Sequence, residues 1–200
     1  MDTRELDRLT ELANIGAGHA ATAFSRLSGR EIRMQVPRVR ARVLSAPALP
    51  DPDAADDDWS TGVFFEFEGY LAALVGILFR AEASEALVRA VTGQEDGQLD
   101  PHLIESALME VGNILASHVA SAIADTVGVR LLPSIPTLSL ENADADLAAH
   151  VASRSTGEHV RIECELTDAR GELGGLLVLI PDGFVVAKDI DGGSAAAPVG

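Results

Sequence analysis

Apolar positions Leu6, Leu9, Ile15, Ala21, Phe24 and Leu27 recur at helical spacing and predict a helix over 3–28, with Gly29 as its C-cap. A second helix is expected over Pro101–Val127. Asp100 would cap it, Pro101 would take the first helical position, and Gly128 would stop it. A strand should follow each helix, Glu31–Val36 and Val129–Leu132, each ending near a proline, Pro37 or Pro136. Val63–Glu68 and Tyr70–Phe79 read as paired strands turning at Gly69. His159–Thr167 and Glu172–Ile180 repeat that pattern around Ala169-Arg170-Gly171. Ala81–Val91 forms a shorter helix terminated by Gly93, and Gln94–Gln98 is a polar connector. Pro47–Trp59 is a Pro/Asp-rich loop, and Asp189–Gly200 is a Gly/Ala tail expected to fray.

These elements come twice. Shifting the chain by 99 residues lays Asp7–Pro37 on Ser106–Pro136, and ten of the 31 positions are then identical. Among them are Glu11/Glu110, Asn14/Asn113, His19/His118, Gly29/Gly128 and Pro37/Pro136. A repeat of this length is too long for a solenoid unit and fits a duplicated half-domain. The expected layout is one domain over residues 1–188, built from repeats at about 3–92 and 100–182, with a tail at 189–200. The expected fold is α/β of the α+β type. A mostly antiparallel sheet is shared by both halves about a pseudo-twofold axis and flanked by two long helices. Hairpin-linked strands argue against a parallel, doubly wound sheet.

Composition narrows the setting. At 200 residues, 47% hydrophobic and 23% charged, the chain can bury a sizeable core and is not disordered. No run approaches the roughly 20 consecutive apolar residues of a membrane helix; the best, Tyr70–Phe79, ends at Arg80. The start, Met1-Asp2-Thr3-Arg4-Glu5, has no apolar signal core. Cys164 is the only cysteine, which excludes an internal disulfide. A cytoplasmic, monomeric protein away from membranes is expected. The net charge of −16, from 31 acidic and 15 basic residues, would repel nucleic acid and anionic lipid. Of the basic residues only Lys188 is lysine. Such a surface resembles those of salt-loving microbes, although a high-GC genome also favours Arg over Lys.

The candidate chemistry lies on the repeated helices. Glu11 and Asn14 are three residues apart, hence only about 60° apart around the helix, and Glu110 and Asn113 repeat the pair. A single Glu/Asn pair is usually a solvated helix face. Asn is a mediocre helix former because its side chain competes for backbone groups. Finding it mid-helix twice, beside the same Glu at the same offset, calls for a cause beyond solubility. Other features read as structural. Gly16-Ala-Gly18 lacks the third glycine and preceding strand of a phosphate loop and suits close helix packing. His19 and His118 have no ligand spacing around them. The Asp51–Asp58 cluster lacks the glycine and glutamate that a calcium loop needs at its sixth and twelfth positions. Cys164 lies in a predicted strand and is expected to be buried and inert.

Asp7-x3-Glu11-x2-Asn14-x22-Pro37 and Ser106-x3-Glu110-x2-Asn113-x22-Pro136 resemble the signature of the CheC/CheX/FliY phosphatases of chemotaxis. The runs Glu11–Ser25 and Glu110–Ala116 look CheC-like in particular, and the resemblance extends over about residues 3–182. CheX-like proteins carry one motif in a shorter chain, so the duplication points to CheC. The resemblance implies hydrolysis of the phosphoaspartate of the response regulator CheY, which brings its own Mg²⁺. It gives Asn14 and Asn113 the task of orienting the attacking water, and Glu11 and Glu110 that of pairing with a CheY lysine. Pro37 and Pro136 would be structural, and no cofactor or metal of the chain's own is implied. A second implication, of a different class, is an adaptor that holds the receptor deamidase CheD.

Overall fold

The computed structural model describes residues 3–43, 59–69, 71–94, 96–154 and 158–182. The expected Pro47–Trp59 loop falls almost wholly outside these, and the Asp51–Asp58 cluster and the 189–200 tail entirely so. In chain order the elements are α1 (Thr3–Ser28), β1 (Ile32–Met34), β2 (Arg38–Val43), β3 (Thr61–Gly69), β4 (Ala73–Phe79), α2 (Ala81–Thr92) and α3 (Pro101–Val127). Then follow β5 (Leu131–Pro133), β6 (Thr137–Ser139), α4 (Ala143–Arg154), β7 (Glu158–Asp168) and β8 (Gly174–Pro181).

All the pairings are antiparallel, in the order β1-β7-β8-β4-β3-β5, with β2 also on β7 and β6 also on β3. This order is symmetric about the β8–β4 junction. It is also interlaced: β1 and β2 of the first half pair with β7 of the second, and β5 and β6 of the second pair with β3 of the first. Each half therefore completes the other's sheet. The central strands β4 and β8 are buried on both faces, which is why Ala73–Phe79 reads as an unbroken apolar run rather than an alternating one.

On one face α1 and α3 cover Val63, Phe65, Ile77, Cys164 and Leu177, with Phe24 meeting Phe79 edge-on at 6.0 Å between ring centres. The other face carries Phe64, Leu74, Leu78, Leu176 and Val178 under Ala143, Leu147 and Val151 of α4. Only two large apolar residues, Leu147 and Val151, mark α4 among Asp and Ala, so periodicity alone does not bring it out.

Two expectations are corrected. The strand after the first long helix stops early, at Met34 rather than Val36, and its counterpart starts late, at Leu131 rather than Val129, and runs to Pro133. Pro37 and Pro136 are not at their ends but in links that lead into unanticipated second strands, β2 and β6. Proline has no N–H for a ladder, so it belongs in such a link rather than inside a strand. The first hairpin's second strand also begins at Ala73 rather than Tyr70, and its partner in the second half begins at Gly174 rather than Glu172. Finally, α3 is long and apolar enough by composition to cross a bilayer, although charged residues break it into short apolar runs. Half of that apolar stretch is buried inside the protein, as befits a core helix.

Candidate active site

Sequence dictates where the long helices begin and end. The Asp100 carboxylate accepts a hydrogen bond from the His102 N–H at 2.8 Å, with Pro101 at the first helical position of α3. Gly29 and Gly128 close the two helices with φ of +66° and +71°, a backbone conformation that glycine adopts without steric cost. The strand that follows then folds back along its own helix. In the first half the Ile32 N–H donates to Ser25 Oγ at 2.9 Å, which sets β1 beside the last turns of α1.

Because the sheet alternates throughout, β1 and β5 run in opposite directions. The helices that fold onto them, α1 and α3, are therefore antiparallel to each other. Their contact is close. A Cβ added at Gly16 would lie 2.9 Å from Val119 Cγ1 and 3.5 Å from Ile123 Cδ1, so the glycine reading as a packing residue holds. Gly18 has open space above it instead.

The outward side of each helix carries the repeated pair. Asp7, Glu11, Asn14 and Gly18 form one stripe on α1, and Ser106, Glu110, Asn113 and Ser117 form its equivalent on α3. Glu11, Glu110 and Asn113 are exposed, and Asn14 is half-buried. None of the four side chains makes a hydrogen bond or ion pair with the described residues. They form two separate faces on two helices, not one cluster. Each face offers a carboxylate that can take a cation and, one turn on, an amide that can both donate and accept a hydrogen bond.

The remaining candidates fall elsewhere. His19 is exposed and His118 half-buried, and no group of three or more His, Cys, Asp and Glu able to hold a metal ion occurs among the described residues. Cys164 is buried, and burial, reinforced by the charge of Glu163, pushes its thiol up to about 12. Asp168 belongs to a structural corner. Burial would raise its pKa, but the Arg30 guanidinium at 3.0 Å and backbone N–H groups, Leu173 among them, hold the carboxyl below its usual range.

Each proline-containing link is tied to a neighbouring long strand. The Gln35 N–H donates to the Glu165 carbonyl at 2.8 Å, and the Ser134 N–H donates to the Glu66 carbonyl at 2.8 Å. These bonds are equivalents at the repeat offset of 99 at both ends. The next residues, Val36 and Ile135, project into solvent; their periodicity does not mark them, but the repeat alignment pairs them.

The model of the CheC-like family matches residues 5–40 and 103–140, the stretches that contain the two helices and their links. The chain is 32% identical over 186 residues to the CheY-P phosphatase CheC of Bacillus subtilis, covering 89% of this chain and 88% of that one. Among solved structures, Thermotoga maritima FliY superposes with a TM-score of 0.69 at 21% identity, covering 93% of both chains. The CheX of a CheX–CheY–BeF3–Mg²⁺ complex from Borrelia burgdorferi does so with a TM-score of 0.57 at 14% identity, over 84% of this chain and 95% of that one. With a doubled motif on paired helices and a relative matched along most of its length, the chain belongs to the CheC-like family.

Proposed function

We propose that this protein is a phosphatase of phosphorylated CheY and works through two equivalent sites, Glu11/Asn14 on α1 and Glu110/Asn113 on α3. The observation that carries the reading is the doubled stripe. On each long helix an exposed Glu precedes by three residues an Asn whose amide is not engaged by the other described residues. Hydrolysis of a phosphoaspartate needs positioning and charge stabilisation more than a covalent group on the helper. In this reading the Asn amide reaches the phosphoryl group, accepts a hydrogen bond from the attacking water through its oxygen and holds it in line. The Glu carboxylate pairs with a lysine of CheY and sets the register of docking. The Mg²⁺ arrives with CheY, and this chain contributes no metal or cofactor. Residues 1–188 act as one unit of two repeats. The name of the Bacillus relative supports the substrate, and the Borrelia complex shows a protein of this fold bound to a CheY.

The test is phosphate release from phospho-CheY with and without the protein. Catalytic amounts should accelerate decay, and equal decay rates in both reactions would refute the reading. Replacing Glu11 and Glu110 by Ala should weaken CheY binding by about 1–3 kcal/mol while leaving the turnover of saturated protein largely intact.

A further inference from the structure

The most exposed large hydrophobic side chains among the described residues are Val36 at 83% and Ile135 at 87%. They are equivalent at the repeat offset, and each immediately precedes the matched proline, Pro37 or Pro136. Single exposed apolar residues need no explanation. Here the same exposure recurs at the same place in two halves that otherwise differ at two positions in three over the aligned 31. Nor are these tips loose. The residue before each is pinned by its backbone N–H to the neighbouring long strand at 2.8 Å, Gln35 on Glu165 and Ser134 on Glu66. Ser134 Oγ also accepts the Glu66 N–H at 3.0 Å, and the proline that follows restricts the chain on the far side.

Their position relative to the Glu/Asn stripes follows from the fold. Ile32 is level with Ser25 of α1, to which it is hydrogen-bonded. Four further residues, the first two in β1, carry the chain up to about 13 Å back along the helix, which is about nine helical residues. Val36 thus comes level with residues 16–18, about one turn from Asn14. Ser25 lies only about 20° around the helix from Asn14, so the strand returns along the side that bears the Asn. The space above Gly18, on the same stripe as Asn14, is open. The pseudo-twofold sets Ile135 beside Asn113 in the same way.

We infer that Val36 and Ile135 are apolar anchors, one per site, that enter an apolar depression beside the phosphoaspartate of the docked CheY and hold the Asn amide over it. This rests on the phosphatase reading and extends it to the docking surface. One Glu–Lys pair does not by itself offset the translational and rotational freedom lost when two proteins associate. A site built from one carboxylate and one amide therefore needs an apolar contact to bind its partner, and a rigid, solvated side chain at its rim supplies one at little ordering cost.

The experiment isolates each site by disabling the other. In an Asn113→Ala background, Val36→Ser should raise KM for phospho-CheY about tenfold with kcat within about twofold, and Ile135→Ser should change neither. In an Asn14→Ala background the two roles should exchange. Val36→Ile and Ile135→Val should keep KM near wild type, which separates apolar contact from mere tolerance of the link. KM within about twofold of the parent in both serine variants would overturn the inference. So would a serine variant that acts equally in both backgrounds, which would mark a general effect on folding. Titrating BeF3-activated CheY onto wild type and the double serine variant keeps this separate from the catalytic reading. If wild type binds without hydrolysing, the phosphatase reading fails, and the anchors stand or fall on the about tenfold or greater loss of binding expected in the double variant. If wild type does not bind activated CheY at all, both are overturned.

Discussion

Asn14 and Asn113 occupy equivalent positions, yet Asn14 is half-buried on α1 whereas Asn113 is open to solvent on α3. The surroundings diverge further. Gly16, pressed on Val119 and Ile123, corresponds to Leu115, which is itself fully buried. Ala13 beneath the first stripe corresponds to Gly112, which approaches Val63 closely. After the first helix Arg30 reaches Asp168 and Glu172 at 3.0 and 2.7 Å, but its equivalent, Val129, can make no such bridge. Buried positions have thus diverged in compensating sizes, while the exposed Glu and Asn are the same in both halves. Packing requires only that volumes fit between the helices, so glycine on one side and leucine on the other can both succeed. No packing argument demands a repeated, unengaged Asn.

Catalysis offers the sharpest way to break the equivalence of the halves. Asn14→Ala or Asn113→Ala alone should leave substantial activity, because the other site is on a different helix and distant sites add nearly independently. The double substitution should reduce phospho-CheY hydrolysis by on the order of 100-fold or more, the scale of losing a positioned transition-state contact. Its melting temperature should barely move, since solvent-facing side chains carry little stability. Complete loss in one single variant would show that only that half is active; if that half were α3, the greater exposure of Asn113 would be the first explanation to examine.

Packing should show the opposite asymmetry. Gly16→Val puts a branched side chain where even a Cβ would lie 2.9 Å from Val119, and should cost about 1–3 kcal/mol in denaturant unfolding. The same end residue at the equivalent position, Leu115→Val, removes a single methylene and should cost only about 0.5–1.5 kcal/mol. Equal costs would mean that the two sides of the helix contact are more alike than their residues suggest.

The smallest effect concerns acid. Asp168 is held below its usual pKa in the folded protein, so its contribution is fully present above the unfolded carboxyl pKa of about 3.9 and is lost as pH falls through the lower, folded value. Arg30→Ala should remove part of that contribution, so that the variant's deficit relative to wild type is present at neutral pH and shrinks in strong acid. Val129→Ala, at the equivalent corner, should show no such pH dependence. Thermal melts of both variants from pH 7 to pH 2 would reveal the difference.

Much of this was legible in the residues. Capping signals bounded α3, helical periodicity bounded α1, and apolar runs revealed the two hairpins, because each depends on neighbours close in sequence. The Glu/Asn stripes were legible for the same reason, since a spacing of three on a helix is a spatial statement without any tertiary structure. The repeat offset further paired Val36 with Ile135, but pairing says nothing of exposure. Tertiary structure alone decided that β1 and β2 pair with β7, and β5 and β6 with β3, across more than 60 residues of chain in each case. It also turned the prolines from strand ends into links and left the apolar side chain before each of them exposed. Local preference specifies helices and turns, but which strand edge a short segment joins depends on the surfaces the whole chain leaves to be covered, and that appears only when both halves have interlaced.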